Sequence, residues 1–308
     1  MEASGSPGIG SDLVLRHQAD WLMGWLMGDW SWGEEGNNVR LGWDSSSKRW
    51  CGSIGDQPWA GALPRVIASG SCPGQVSKTV AYQTGLNSAC YVVAGSTDAN
   101  AGVLAAAPGE GDGVTVLGTT LVLKQWVPHP LQGPGISCHR LNGRWLVGGA
   151  SNAGAGVLLN FFSERDLQEL SRQIDPDRPT GLDLLPLSKK GERFPVDDPE
   201  LLPRLEPRPV SNALFLQALL EGLTAIEVAG WQRLEDLGAP PVKRVISIGG
   251  GARNPQWRRM RQRALGRPVA IQADASAALG MALLARSRMG EGPSPPSPTP
   301  SPTASPPA

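Results

Sequence analysis

The chain contains 308 residues, of which 40% are apolar, and its 28 Lys and Arg residues balance 28 Asp and Glu residues. A neutral chain without a basic run has no electrostatic reason to bind nucleic acid or an anionic membrane, and no apolar run reaches the ~18 residues that a membrane-spanning helix needs. Because residues 1 to 12 also lack the basic and apolar stretches of a signal peptide, we expect a cytoplasmic protein.

Short apolar runs alternate with helical patterns along most of the chain. In chain order, periodicity predicts a helix over 15–27, a strand over 90–94, a helix over 99–107, a hairpin of strands over 114–117 and 121–124, a strand over 144–147, helices over 154–162 and 212–231, a strand over 242–248, a helix from Pro255, and a helix over 273–286. Loops and short helices are expected over 29–73, a surface excursion over 176–209, and a disordered tail over the Pro/Ser-rich 290–308. This alternation indicates an α/β or α+β architecture.

Asp98 follows the predicted strand over 90–94 and precedes an alanine-rich helix, among small residues such as Gly95 and Ala99. A carboxylate at this place lies near the positive end of the helix dipole. Two interpretations remain open. Asp98 is either a helix N-cap, or a general base that takes the proton from a substrate hydroxyl as phosphoryl transfer begins.

Gly118, Thr119 and Thr120 form the predicted hairpin turn. Exposed N–H groups and two hydroxyls in such a turn can hold a phosphate without a lysine. Since many hairpins turn through similar residues, an ordinary structural turn is the simpler interpretation of the local pattern.

Three glycines and an alanine follow the apolar strand over 242–248: Gly249, Gly250, Gly251 and Ala252. They allow the backbone to pass close to a ligand at a helix start, where Asn254 can cap the helix and Pro255 can occupy its first turn. The run does not fit the dinucleotide fingerprint G-x-G-x-x-G, and the chain has no P-loop. A flexible turn and a nucleotide site of another kind both remain open.

No other constellation competes with these three segments. The four cysteines and three histidines lack the spacing of a metal site, and we expect the thiols to be reduced. Glu34 and Glu35 are interpreted as part of a solvated loop face, and most of the eleven tryptophans as packing residues.

The same segments, in this order, resemble the FGGY family of carbohydrate kinases. The run from Val245 to Trp257 and the later helix over 275–284 resemble the adenosine-binding end of that family, and residues 96–101 resemble its segment with the catalytic aspartate. Residues 116–120 resemble its second phosphate-binding hairpin. Residues 17–22, with Asn37, Asn38 and Asp44, are similar to the sugar side of short xylulokinase-like ketose kinases. The similarity extends over about residues 16–286.

The resemblance implies a two-domain, actin/hexokinase-like (ribonuclease H-like) α/β fold. Residues 1–112 would be the remainder of the sugar-side domain, 113–289 the ATP-side domain, and 290–308 the tail. By position, Asp98 would be the base and would lie with Trp21 on the sugar side. The turn Gly118, Thr119 and Thr120 would approach the ATP phosphates, bridged by Mg²⁺, while Gly249 to Ala252 and Asn254 would line the adenosine pocket.

The Asp-x-Gly-Thr segment with which this family begins has no counterpart here, so we expect the first domain to be incomplete, as in an N-terminally truncated chain. The resemblance implies ATP-dependent phosphorylation of a ketopentose, D-ribulose or D-xylulose, at its terminal hydroxyl. The expected partner is thus a small-molecule sugar. The alternative is a non-catalytic nucleotide-binding or interaction protein derived from a sugar kinase.

Overall fold

A computed structural model describes residues 13 to 289, and the tail expected over 290–308 lies outside this range. The described chain forms two compact units. Residues up to Thr97 belong to the first unit, together with His139–Gly143 and residues 281 to 289. Asp98–Cys138 and Arg144–Gly280 make up the second unit.

Helices and strands alternate along both units. The helices are α1 (Gln18–Met27), α2 (Glu35–Asn38), α3 (Gly52–Gly55), α4 (Lys78–Thr84), α5 (Asp98–Ala106), α6 (Glu164–Ser171), α7 (Asn212–Asp236), α8 (Pro255–Leu265) and α9 (Ala277–Met289). The strands are β1 (Trp32–Glu34), β2 (Trp43–Asp44), β3 (Arg49–Trp50), β4 (Arg65–Ile67), β5 (Gly74–Gln75), β6 (Tyr91–Val92), β7 (Asp112–Leu117), β8 (Leu121–Val127), β9 (Ile136–Leu141), β10 (Arg144–Ala150), β11 (Arg244–Ile248) and β12 (Val269–Ile271).

A six-stranded sheet contains the longer strands, in the order β12-β11-β7-β8-β10-β9. The predicted hairpin is confirmed: β7 and β8 are antiparallel, and Leu117 lies opposite Leu121. Strand β11 is parallel to both of its neighbours, β7 and β12. Its residues Val245 to Ile248 are all buried, as expected for a parallel strand covered on both faces.

The core of the second unit is built around α7, the longest predicted helix. Four of its leucines are completely inaccessible to solvent: Leu216, Leu219, Leu220 and Leu223. By length and composition, α7 is the one helix within residues 13 to 289 that could cross a membrane, yet 67% of its apolar window is buried inside the protein. Core helices of water-exposed domains show the same combination, because burial on all sides removes the polar face.

The first unit has smaller sheets of two strands each. Strands β1 and β4 are parallel, whereas β2 pairs with β3 and β5 with β6 in antiparallel fashion. Helix α1 ends at Gly28, as predicted, and Gly28 adopts the left-handed conformation with φ 71°. The small core of this unit consists of Met23, Ile67, Val76, Val80, Val92 and Ala94.

Several elements differ from the predictions. The buried strand expected over 90–94 is limited to β6, since its partner β5 is only two residues long. The helix expected over 154–162 is a 3₁₀ helix, Ala155–Asn160. Residues 176–209 are not only a surface excursion, because Phe194 is 1% exposed. Helix α6 and strands β9 and β12 were not predicted at all.

Candidate functional site

Two glycine-containing turns lie side by side in the second unit. The pairing of β7 with β11 ends with Val116 opposite Ile248, so the turn after each strand emerges at the same edge of the sheet. Gly249 has φ +90°, and a Cβ on it would lie 2.8 Å from the carbonyl oxygen of Leu117. Glycine is therefore required at this position, where one turn approaches the other backbone to backbone.

The turn of Gly118, Thr119 and Thr120 leaves two backbone donors unused. The N–H of Gly118 donates to the carbonyl oxygen of Thr120 at 3.2 Å. The N–H groups of Thr119 and Thr120 have no acceptor among residues 13 to 289, and neither hydroxyl has a hydrogen-bond partner there. Two free N–H groups beside two free hydroxyls make a turn that can bind an anion.

A cleft of about 440 Å³ adjoins the glycine run. Part of its lining is Gly249, Gly250, Ala252 and Arg253, and the rest is Ile271, the last residue of β12, with the following residues 272 to 276. The cleft therefore lies at the carboxyl ends of two adjacent parallel strands, where open α/β sheets commonly bind ligands. Its volume is in the range of small-molecule sites.

Of this second part, the sequence analysis placed only the beginning of the helix over 275–284 at the adenosine-binding end, and it missed residues 271 to 274. Residues 272 to 276 have no glycine run, and only the pairing of β12 with β11 brings them to the cleft. This part of the wall carries Asp274, whereas Arg253 stands on the wall formed by the glycine run. Neither of these two charged side chains has a partner within the described residues. The cleft thus presents one free cation and one free anion to a ligand.

The side chain of Asn254 caps helix α8. Its Oδ1 accepts hydrogen bonds from the N–H groups of Gln256 at 3.0 Å and Trp257 at 3.1 Å, and its Nδ2 donates to Oγ of Ser171 at 2.9 Å. The predicted cap and the Pro255 at the first helical position are confirmed. Asn254 is not among the residues that line the cleft, so its effect on a bound ligand would pass through the start of α8.

Asp98 is the first residue of α5 and its side chain is exposed. Oδ1 accepts one hydrogen bond, from the N–H of Ala99 at 2.7 Å. Small residues hold α5 against the strand end: a Cβ on Gly102 would lie 3.2 Å from Cδ1 of Ile248. The structure thus attaches the helix that begins with Asp98 to the strand that leads into Gly249.

Trp21 lies in the first unit, on α1, and its side chain is 50% exposed. Asp20, the residue before it, is 1% exposed. Asp20 accepts hydrogen bonds from the N–H of Glu34 at 2.8 Å and from Nδ2 of Asn38 at 2.7 Å. The side chain of Asp20 therefore fixes α1 to β1 and α2, while Trp21 faces outward.

Residues 113–289 match the C-terminal domain of the FGGY family of carbohydrate kinases. This match covers more than half of the chain, including both turns and the whole cleft. The chain belongs to the FGGY family of carbohydrate kinases.

Solved sugar-kinase structures share the fold of this FGGY chain. It is similar to a xylulose kinase from Brucella ovis (TM-score 0.77, 22% identity, 91% of this chain and 62% of that chain). It is also similar to a xylulose kinase from Rhodospirillum rubrum (TM-score 0.73, 21% identity, 89% of this chain and 58% of that chain). A third similar structure is Plasmodium falciparum glycerol kinase with ADP (TM-score 0.76, 15% identity, 90% of this chain and 58% of that chain). The predicted actin/hexokinase-like fold is confirmed, and the chain spans about 60% of the length of these kinases.

Ahead of the matched domain, the FGGY chain buries two carboxylic acids that the sequence analysis placed on a solvated face. Glu34 is 2% exposed and Glu35 is 5% exposed. Glu34 accepts hydrogen bonds from the N–H groups of Gly36 at 2.7 Å and Asn37 at 2.8 Å, and from the hydroxyl of Ser69. Despite these donors, burial raises the pKa of Glu34 to about 7.

The burial of Glu34 follows from long-range contacts. Ser69 lies 35 residues away from Glu34 in the chain and reaches it because β1 pairs with β4. The one local signal was the Gly36 and Asn37 that follow, since such residues donate backbone N–H groups to a preceding carboxylate. The pKa of Glu35 is also raised by burial.

Proposed function

We propose that this protein transfers the γ-phosphoryl group of Mg-ATP to the terminal hydroxyl of a ketopentose, either D-ribulose or D-xylulose. The observation that carries the proposal is the meeting of two turns beside one cleft. The turn of residues 118 to 120 offers unused N–H groups, and Gly249 and Gly250 of the glycine run line the cleft together with their neighbours. The names of two similar structures, both xylulose kinases, favour a ketopentose among the sugars.

In this proposal the cleft holds adenosine and the turn holds phosphate. Gly249, Gly250 and Ala252 have no side chain large enough to fill the cleft that they line. The unused N–H groups and hydroxyls of Thr119 and Thr120 would donate to phosphate oxygens. Preorganised donors of this kind stabilise the charge that develops during phosphoryl transfer.

Mg²⁺ would enter as part of the substrate Mg-ATP. The described residues contain no group of three or more His, Cys, Asp or Glu side chains that could hold a metal ion. A nucleotide-borne ion does not need such a group, because Mg²⁺ usually keeps several waters and binds through phosphates and only one or two carboxylates.

Asp98 would act as the general base. As the sugar hydroxyl oxygen bonds to the γ-phosphorus, the bond from that phosphorus to the β-phosphate oxygen breaks, ADP leaves, and the hydroxyl proton passes to Asp98. The Asp98 side chain is exposed and accepts one backbone hydrogen bond. It therefore has lone pairs available for the proton.

The test measures ADP release with Mg-ATP and D-ribulose, D-xylulose, glycerol or no sugar. We expect turnover that depends on a ketopentose and that Asp98→Asn lowers by at least about 100-fold. Asp175→Asn is the matched control, since Asp175 is also exposed and accepts a single backbone N–H, from Asp177 at 3.0 Å. Equal activity of Asp98→Asn and the control would contradict the assignment of the base.

A second candidate function is nucleotide binding without transfer. It is favoured by one observation: both turns and the cleft lie within the second unit. This function predicts that the chain binds ATP but releases no ADP with any of the sugars. Calorimetric titration with ATP, run beside the turnover assay, separates it from the kinase reaction.

A further inference from the structure

The loop after β10, here residues 151 to 156 including the first two residues of the 3₁₀ helix Ala155–Asn160, holds the turn of residues 118 to 120. The N–H of Ala155 donates to the carbonyl oxygen of Gly118 at 2.9 Å, and the N–H of Gly156 donates to that of Thr119 at 3.3 Å. The carbonyl groups of Gly118 and Thr119 come directly before the free N–H groups of Thr119 and Thr120. Both carbonyl groups are therefore bound to this loop.

These two hydrogen bonds determine where the free donors point. In a trans peptide, the carbonyl of one residue and the N–H of the next lie in one plane and point in opposite directions. The carbonyls of Gly118 and Thr119 belong to the same peptide planes as the N–H groups of Thr119 and Thr120. Because the loop binds the carbonyls, it turns both N–H groups away from itself.

The packing between loop and turn leaves no room for adjustment. A Cβ on Gly154 would lie 2.4 Å from the carbonyl oxygen of Thr119 and 2.5 Å from Cα of Thr120. A Cβ on Gly156 would lie 2.7 Å from Cγ2 of Thr119. With backbone packed on backbone, a shift of the loop is passed directly to the turn.

Glu192 holds the loop from the segment interpreted as a surface excursion. It is 5% exposed. Its Oε2 accepts from the hydroxyl of Ser151 at 2.5 Å, and its Oε1 accepts from the N–H of Asn152 at 2.7 Å. Oγ of Ser151 in turn accepts from the N–H of Ala153 at 2.9 Å. The Glu192 carboxylate thereby shapes the start of the loop.

The donors to Glu192 among residues 13 to 289 are all neutral. Besides Ser151 and Asn152, they are the backbone N–H groups of Arg193 at 2.8 Å and Phe194 at 3.4 Å, and no ion pair forms there. A buried carboxylate without a cation is unfavourable unless its hydrogen bonds compensate. The presence of Glu192 at this place therefore indicates that the protein needs the hydrogen bonds that this carboxylate accepts.

We propose that Glu192 is a positioning residue for the phosphate-binding turn. Through Ser151, Asn152 and the loop, it fixes the direction of the free N–H groups of Thr119 and Thr120. The inference rests on the proposed function, in which the ligand of this turn is the phosphate chain of ATP. It predicts that Glu192 affects the binding of phosphate and leaves the binding of the nucleoside unchanged.

The experiment compares the affinities of the full chain for Mg-ATP and for adenosine by calorimetry. We expect Glu192→Ala to weaken ATP binding about tenfold and to change adenosine binding less than about twofold. Glu192→Gln keeps an acceptor for the N–H of Asn152 and should weaken ATP binding less, by about threefold.

Asp112→Asn is the matched control. Asp112 is similarly buried at 6% exposure and forms an ion pair with Arg244, but it begins β7, the strand end opposite the turn. This variant should lower the melting temperature without changing the ratio of ATP to adenosine affinity. A merely structural role of Glu192 would give the same result as the control, and that result overturns the inference.

If Glu192→Ala does not fold, a second variant, Ser151→Ala, tests the same inference. Ser151→Ala removes the hydroxyl that links Glu192 to the N–H of Ala153, and we expect it to weaken ATP binding about threefold while adenosine binding is retained. Equal loss of affinity for ATP and for adenosine contradicts the inference.

The unmodified chain tests the proposed phosphate site itself. If it binds ATP no more tightly than adenosine, the proposed phosphate site and this inference both fail, and this result is known before any variant is made.

Discussion

Arg261 and Glu227 form a buried bidentate ion pair, with Nε 2.5 Å from Oε2 and Nη2 2.7 Å from Oε1. The side chains are 1% and 0% exposed. Two strand hydroxyls complete the network: Oγ1 of Thr115 donates to Glu227 at 2.6 Å, and Nη1 of Arg261 donates to Oγ of Ser247 at 2.7 Å. Because Thr115 lies on β7 and Ser247 on β11, the pair ties α7 and α8 to the two strands that lead into the turns.

Removal of one partner of this pair should destabilise the second unit strongly. Arg261→Met leaves the Glu227 carboxylate buried without its cation, and such a charge typically costs about 3–5 kcal/mol. The double variant Arg261→Met with Glu227→Leu should be less destabilised than Arg261→Met alone, since no buried charge remains. Urea unfolding of the single and double variants measures this difference, and strictly additive effects would contradict the coupling.

The glycine run should respond differently at adjacent positions. An alanine at residue 251 would place its Cβ 2.7 Å from the Trp257 ring and 3.0 Å from Cβ of Leu117, whereas a Cβ on Gly250 has no neighbour within 4 Å. We expect Gly251→Ala to lower stability by about 1–3 kcal/mol through overpacking, and Gly250→Ala to change it by less than about 0.5 kcal/mol. Thermal unfolding of the two variants provides the comparison, and equal losses would argue against the packing described.

Glu34 should make the stability of the fold depend on pH. Its pKa is raised from 4.5 to about 7 by burial, so the folded chain retains this proton over a range in which the unfolded chain has lost it. Stability from this group is therefore full below pH 4.5, declines as the pH rises toward about 7, and is constant above that. The total loss is on the order of 3 kcal/mol.

Glu34→Gln removes this titration. We expect its stability relative to the unmodified chain to improve steadily from pH 4.5 to about 7 in denaturant unfolding. Glu169→Gln serves as the control, because Glu169 is an exposed residue on α6 that pairs with Arg165. Parallel stability curves for Glu34→Gln and the unmodified chain would show that Glu34 does not titrate in this range.

Arg253 should contribute to nucleotide binding through its charge. It lines the cleft without an anionic partner among the described residues, so it can attract a polyanion such as ATP. Arg253→Gln is expected to weaken ATP binding about three- to tenfold at low salt, with a smaller effect at high salt, and to leave adenosine binding nearly unchanged. Arg259→Gln, which removes a cation paired with Asp177 on the surface, is the control.

The sequence predicted elements whose signals are local. The hairpin of β7 and β8, the strand β11, the glycine run and the cap at Asn254 all depend on patterns within about ten residues. The helix α5 was also predicted, one residue later than it begins. These segments contain the turns and one side of the cleft, so the candidate nucleotide site was accessible from sequence in outline.

What the sequence did not predict depends on distant partners. Residues 272 to 274 reach the cleft through the pairing of β12 with β11, and β12 is too short for a clear periodic signal. Glu192 and Ser151 are 41 residues apart in the chain. Charged residues such as Glu34 and Glu192 predict exposure when taken alone, since only the folded chain supplies the donors that allow their burial.

The turn of residues 118 to 120 has one face bound to the loop and one face of free N–H groups. The N–H donors belong to the main chain, so Thr119→Ser, which keeps both the N–H group and a hydroxyl, should be tolerated as long as the backbone keeps its course. The constraint falls instead on Gly154 and Gly156, where a Cβ has no space. Two residues that have no side chain to offer a ligand therefore decide whether the turn can present its donors.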